Sequence, residues 1–77
     1  LGEIAKAIMY MEQSLKQALQ TDDLIAQACS YRGLGEIYCA ENSEKSQENF
    51  LQAIELFEKA GDQVGAREVK NLLNKKK

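Results

Sequence analysis

No proline interrupts the 77 residues, and glycine occurs only five times. Proline stops helices by removing a backbone donor and clashing with the preceding turn, and proline and glycine together make most of the tight turns of β-rich folds. A chain this poor in both leaves long helices unbroken and gives an all-β architecture too few turning points. With 44% hydrophobic and 29% charged residues it also carries enough apolar material to order itself, so the expectation is an all-α fold. At this length only about 60 to 65% of the surface can be buried, so the core is thin.

The apolar spacing resolves four helices. The first, from about Glu3 to Gln20, carries Ile4, Ile8, Met11, Leu15 and Ala18 on one stripe. Thr21, Asp22 and Asp23 then offer cap chemistry for a second helix, about Leu24 to Ala40. Its buried face is Leu24, Ala28, Tyr31, Gly35 and Tyr38 with Leu34 beside them, which places Gly35 under a partner helix and Gly33 outward. After the polar break at Glu41, Asn42 and Ser43, a third helix runs from about Glu44 to Ala60 with Phe50, Ala53, Ile54 and Phe57 on one side. Gly61 suits the left-handed position that ends a helix, and Asp62 caps a fourth, about Gln63 to Lys75, with Val69, Leu72 and Leu73 as its apolar patch. Connections this short make neighbouring helices antiparallel.

Several function classes are argued against by what the chain lacks. A net charge of −2, with no run of basic residues interleaved with aromatics, gives no general attraction for nucleic acid. The basic residues that do cluster, Arg67, Lys70, Lys75, Lys76 and Lys77 against Glu68, read as a solvated tail complementing a helix C-terminus, with an acidic partner as the alternative. No apolar run approaches the ~20 residues of a membrane span, and no signal-peptide pattern is present, so a cytoplasmic protein is expected. Leu1 opens the chain inside sequence that already reads as helix, so a piece of a longer protein is expected too.

Cys29 and Cys39 lie ten residues apart in one helix, about 15 Å along its axis, too far for a mutual disulfide. They read as small, half-buried thiols suited to a reducing compartment. With no histidine and no second cysteine pair, no zinc site is expected, and no cofactor is implied. No serine or cysteine has an evident base, and Glu12, Glu48, Glu55 and Glu58 stand at the spacing of solvated helix faces, so no enzyme is expected.

The helices repeat. Shifting the chain by 39 residues aligns Met11 with Phe50, Gln13 with Gln52, Ser14 with Ala53, Leu15 with Ile54, Asp23 with Asp62 and Ile25 with Val64. A competing register, in which Leu1-Gly2-Glu3-Ile4 matches Leu34-Gly35-Glu36-Ile37, sets apolar Met11 against Glu44 and is rejected. In the 39-residue register the segment Tyr31-Arg32-Gly33-Leu34-Gly35-Glu36-Ile37-Tyr38 reads Y-x-x-L-G-x-x-Y, which resembles the first-helix signature of a tetratricopeptide repeat with tyrosine in place of the usual tryptophan. Ser46, Phe50 and Ala53 resemble the small-aromatic-alanine pattern of its second helix, and Ala7, Met11 and Ser14 form a weaker copy. The long period and Gly61-Asp62-x-x-Gly65-Ala66 resemble the ~40-residue repeats of kinesin light chains and the Pins-type scaffolds.

The resemblance implies antiparallel helix pairs stacked as a solenoid fragment in one domain, residues 1–77. Residues 1–21 would be the second helix of a partial repeat, 22–60 a complete repeat, and 61–77 the first or capping helix of the next. It further implies a non-catalytic module that holds a protein or peptide on the concave face lined by first helices. Residues placed there are Cys29, Arg32, Glu36 and Cys39, with Arg32 and Glu36 spaced as an intrahelical ion pair. Glu36 stands where chaperone-binding members of the family have a carboxylate-clamping asparagine, which argues against that mode. Gly33 stands where the Pins-type members place an asparagine, leaving Asn71, before Leu72, as the residue able to play that part. A structural spacer or sensor segment supporting a neighbouring domain is the alternative, and the exposed terminal helices would allow self-association.

Overall fold

Why the chain turns where it does is visible in its caps. The computed structural model describes residues 2–75, which form α1 (Gly2–Gln20), α2 (Leu24–Tyr38), α3 (Ser43–Lys59) and α4 (Gln63–Lys75), with no strand among the described residues. Lys76 and Lys77 of the basic cluster, and Leu1, lie outside them. The Asp23 carboxylate accepts the Ala26 N–H at 3.1 Å, the Asn42 side-chain Oδ1 accepts that of Lys45 at 3.1 Å, and the Asp62 carboxylate accepts that of Gly65 at 2.9 Å. Each satisfies a donor that the first helical turn leaves without an intrahelical partner.

Two of the three turns are copies of one another. Thr21, Asp22 and Asp23 donate their N–H groups to Gln17, Leu19 and Ala18, and Ala60, Gly61 and Asp62 donate to Leu56, Glu58 and Phe57, every pair 39 residues on. Both turns pass through the left-handed region, at Asp22 (φ 55°) and Gly61 (φ 80°). Glycine adopts that conformation without cost, and aspartate is one of the few side chains that tolerate it. The α2–α3 turn is different and ends α2 earlier than the expected Ala40: Cys39 N–H turns back to Glu36, and Glu41 and Asn42 both donate to the Tyr38 carbonyl.

Each helix packs on its chain neighbour, α1 on α2, α2 on α3 and α3 on α4, in a slab 36 × 32 × 15 Å. The core is Ala28, Phe50, Ala53, Ile54, Phe57, Ala66 and Val69, with Tyr31, Leu56, Leu72 and Leu73 packed around it. It sits where α3 packs against both α2 and α4. Near the α2–α3 turn the buried Ser46 hydroxyl donates to the Gly35 carbonyl at 2.6 Å. That carbonyl is released from the helical ladder because Cys39 N–H bonds Glu36 instead. On the first pair, the buried Gln27 amide similarly donates to the Ala18 carbonyl at 3.1 Å.

Gly35 lies under its partner helix as expected, since a Cβ there would fall 2.7 Å from two ring carbons of Phe50. Gly33 does not face outward. It faces α1, where a Cβ would meet the Met11 side chain, with Sδ at 3.3 Å. The two glycines therefore serve two different helix contacts, one on each side of α2.

Candidate functional site

Helices α2 and α4 stand side by side, and what links them is polar. Arg32 on α2 reaches two carboxylates at once: its Nε lies 3.3 Å from Glu36 Oε1, one turn on, and its Nη1 lies 3.1 Å from Glu68 Oε1 on α4. The intrahelical pair expected from the spacing is present, and the cross-helix arm to Glu68 is an addition that α2 alone could not announce. The bridge is part-exposed, so its energy is small, under about 1 kcal/mol, but it marks which turns of the two helices face one another.

Working outward from the bridge along two parallel helices, Cys29 comes one turn before Arg32 and Val64 one turn before Glu68. One and two turns past it come Glu36 and Cys39 on α2, and Leu72 and Lys75 on α4. The second group is seen directly, since Glu36, Cys39, Phe50, Leu72 and Lys75 wall a cavity of ≈ 410 Å³ at the C-terminal ends of these helices. Ile25, seven residues before Arg32, continues the strip at the other end. Ile25 and Val64 are unusually bare for their type, at 41% and 63% exposure.

Cys29, Arg32, Glu36 and Cys39 are thus brought to one exposed strip of α2, and Asn71 is exposed on α4. Both cysteines are exposed free thiols, not the half-buried ones expected, because they sit on the α2 face turned away from α1 and α3. Asn71 occupies the place of Arg32 in the register of the turns, 39 residues on, and Leu73 that of Leu34. Asn71 is therefore one position away from the place the Pins-type pattern would need. The residues missed from sequence are Ile25, Val64, Glu68 and Lys75. A signal for them existed, because the 39-residue shift carries Ile25, Cys29 and Glu36 onto Val64, Glu68 and Lys75.

Among the described residues, no three or more cysteine, aspartate or glutamate side chains gather as a metal site would require. No helix among them is long and apolar enough to cross a membrane. A family model described as tetratricopeptide repeat matches residues 1–59. No curated protein and no solved structure matches the chain significantly.

Proposed function

The chain belongs to the tetratricopeptide repeat family, whose members are generally protein-interaction modules, and on that premise we propose that it is a non-catalytic module binding a protein or peptide on the α2–α4 face. The observation that carries this reading is the exposed strip itself: Ile25, Cys29 and Val64 at one end and the cavity beside Cys39 and Leu72 at the other flank the bridged Arg32. Exposed apolar groups arranged along one groove suit a partner, whereas a spacer has no use for them. Within this proposal, residues 22–60 are one complete repeat, 1–21 the second helix of the one before and 61–77 the first or capping helix of the next. The contacts come from Cys29, Arg32, Glu36, Cys39 and Asn71, and the exposed thiols suit a reducing, cytoplasmic setting.

The test is site-specific photo-cross-linking in the parent protein, with the reactive amino acid at position 71 or, on the exposed side of α1, at position 16. Capture of a partner from 71 and none from 16 is expected. Capture from 16 alone would move the site to another face.

One observation favours the spacer reading as a second possibility. Ala7, Met11 and Ser14 are only half-buried, whereas their counterparts Ser46, Phe50 and Ala53 are at most 1% exposed. An uncovered flank on α1 suits a segment stacked against a further helix, or against a second copy of the chain. Concentration-dependent sedimentation of the chain distinguishes the last case.

A further inference from the structure

The charges at the centre of the α2–α4 strip are spent on one another. Arg32 is held by Glu36 and Glu68, and Lys75 lines the same cavity as Glu36, so the formal charges of the strip, two cations and two anions, sum to zero. The apolar groups of the strip lie at its ends: Ile25 and Val64 before the bridge, Cys39 and Leu72 beyond it. Cys39, which caps α2, stands fourteen positions after Ile25, a span of about 20 Å along the helix.

Resting on the reading of this strip as a partner-binding face, we infer that its occupant is an uncharged peptide segment carrying two apolar side chains about 20 Å apart, which crosses the Arg32 bridge without ionic contacts. An acidic segment would find Arg32 already shared by two carboxylates, and would lie beside Glu36 and Glu68. A basic segment would find those carboxylates already facing Arg32, and would lie beside Arg32 and Lys75. A neutral segment disturbs neither pair and buries the apolar ends. Discrimination against charge is therefore built into the strip by its own pairing.

The experiment uses three synthetic peptides, each with an apolar residue at both ends of a spacer of about seven residues, enough to span the distance when extended. The spacer is serine and glutamine, aspartate, or lysine. Binding to the 77-residue chain is followed by fluorescence anisotropy at about 0.05 M and about 0.5 M salt, where the Debye length falls from more than 10 Å to under 5 Å. The neutral peptide is expected to bind tightest, with Kd changing less than about twofold between the two salts, and the charged peptides about tenfold more weakly.

Glu36→Gln with Glu68→Gln frees the Arg32 guanidinium and should raise affinity for the acidic peptide about tenfold at low salt, a gain lost at high salt. Glu68→Gln alone, which keeps the intrahelical pair, should give part of that gain and serves if the double variant does not fold by circular dichroism. A wild-type preference for either charged peptide overturns the inference. So does failure of all three peptides to bind while the cross-link from position 71 still captures a partner. Capture from position 16 alone overturns instead the reading on which the inference rests.

Discussion

Gly35 and Gly33 are two residues apart in one helix, yet alanine should have opposite effects at the two positions. At Gly35 the added Cβ would stand 2.7 Å from Cδ1 and Cε1 and 3.1 Å from Cγ of Phe50. Carbon atoms rest about 3.5 to 4.0 Å apart, so helix or ring must move by most of an ångström. Neither is free to do so, because Phe50 is 1% exposed within the core and the Gly35 backbone is tied to Ser46 at 2.6 Å. Overpacking of this kind costs about 1 to 3 kcal/mol, against which alanine returns about 1 kcal/mol of helix propensity. Gly35→Ala should therefore lose about 1 to 2 kcal/mol, lowering Tm by roughly 4 to 15 °C in a chain this size. At Gly33 the group in the way is the end of the Met11 side chain, which is unbranched, flexible and only half-buried, and can swing aside. Gly33→Ala should be neutral or gain up to about 1 kcal/mol. Urea titrations of both variants with unchanged m-values are the measurement. Equal losses at the two sites, or a larger loss at Gly33, would refute the assignment of Gly35 to the rigid contact and Gly33 to the yielding one.

Other perturbations follow from single contacts. Arg32→Glu with Glu36→Arg preserves an intrahelical pair but puts an acid opposite Glu68, so thermal melts should show a small loss, under about 1 kcal/mol, that adding Glu68→Arg restores; a double variant as stable as wild type would deny the cross-helix arm. Ser46→Ala removes the hydroxyl from the buried Gly35 carbonyl and should cost about 1 to 2 kcal/mol in urea denaturation, whereas a neutral result would mean water replaces it. The left-handed turns should respond in opposite senses. Asp22→Gly should stabilise by about 0.5 kcal/mol and Gly61→Ala should destabilise by about 1 kcal/mol, read as shifts in Tm, and the same sign at both would contradict their shared geometry.

The helices themselves were legible in the sequence, because helix formation answers to spacing within one segment. The stripe from Ile8 to Ala18, the caps at Asp23 and Asp62, the polar break around Asn42 and the stop at Gly61 are all local chemistry, and they place the elements to within about two residues. The 39-residue period was legible for the same reason, since it repeats local patterns and reappears in the two turns bond for bond. What tertiary structure alone decided is which neighbour covers each face. Gln27 and Ser30, polar by type, are buried because α1 supplies a carbonyl and a wall there. Gly33 turns to Met11 rather than to solvent, Arg32 finds Glu68 thirty-six residues away, and the thiols of Cys29 and Cys39 are left bare. Apolar periodicity tells how much of a helix is hidden, but the identity of the residues that meet across two helices depends on their offset and crossing angle. Those are set by the summed packing of segments distant in the chain, to which a side chain such as Arg32 contributes only one small part.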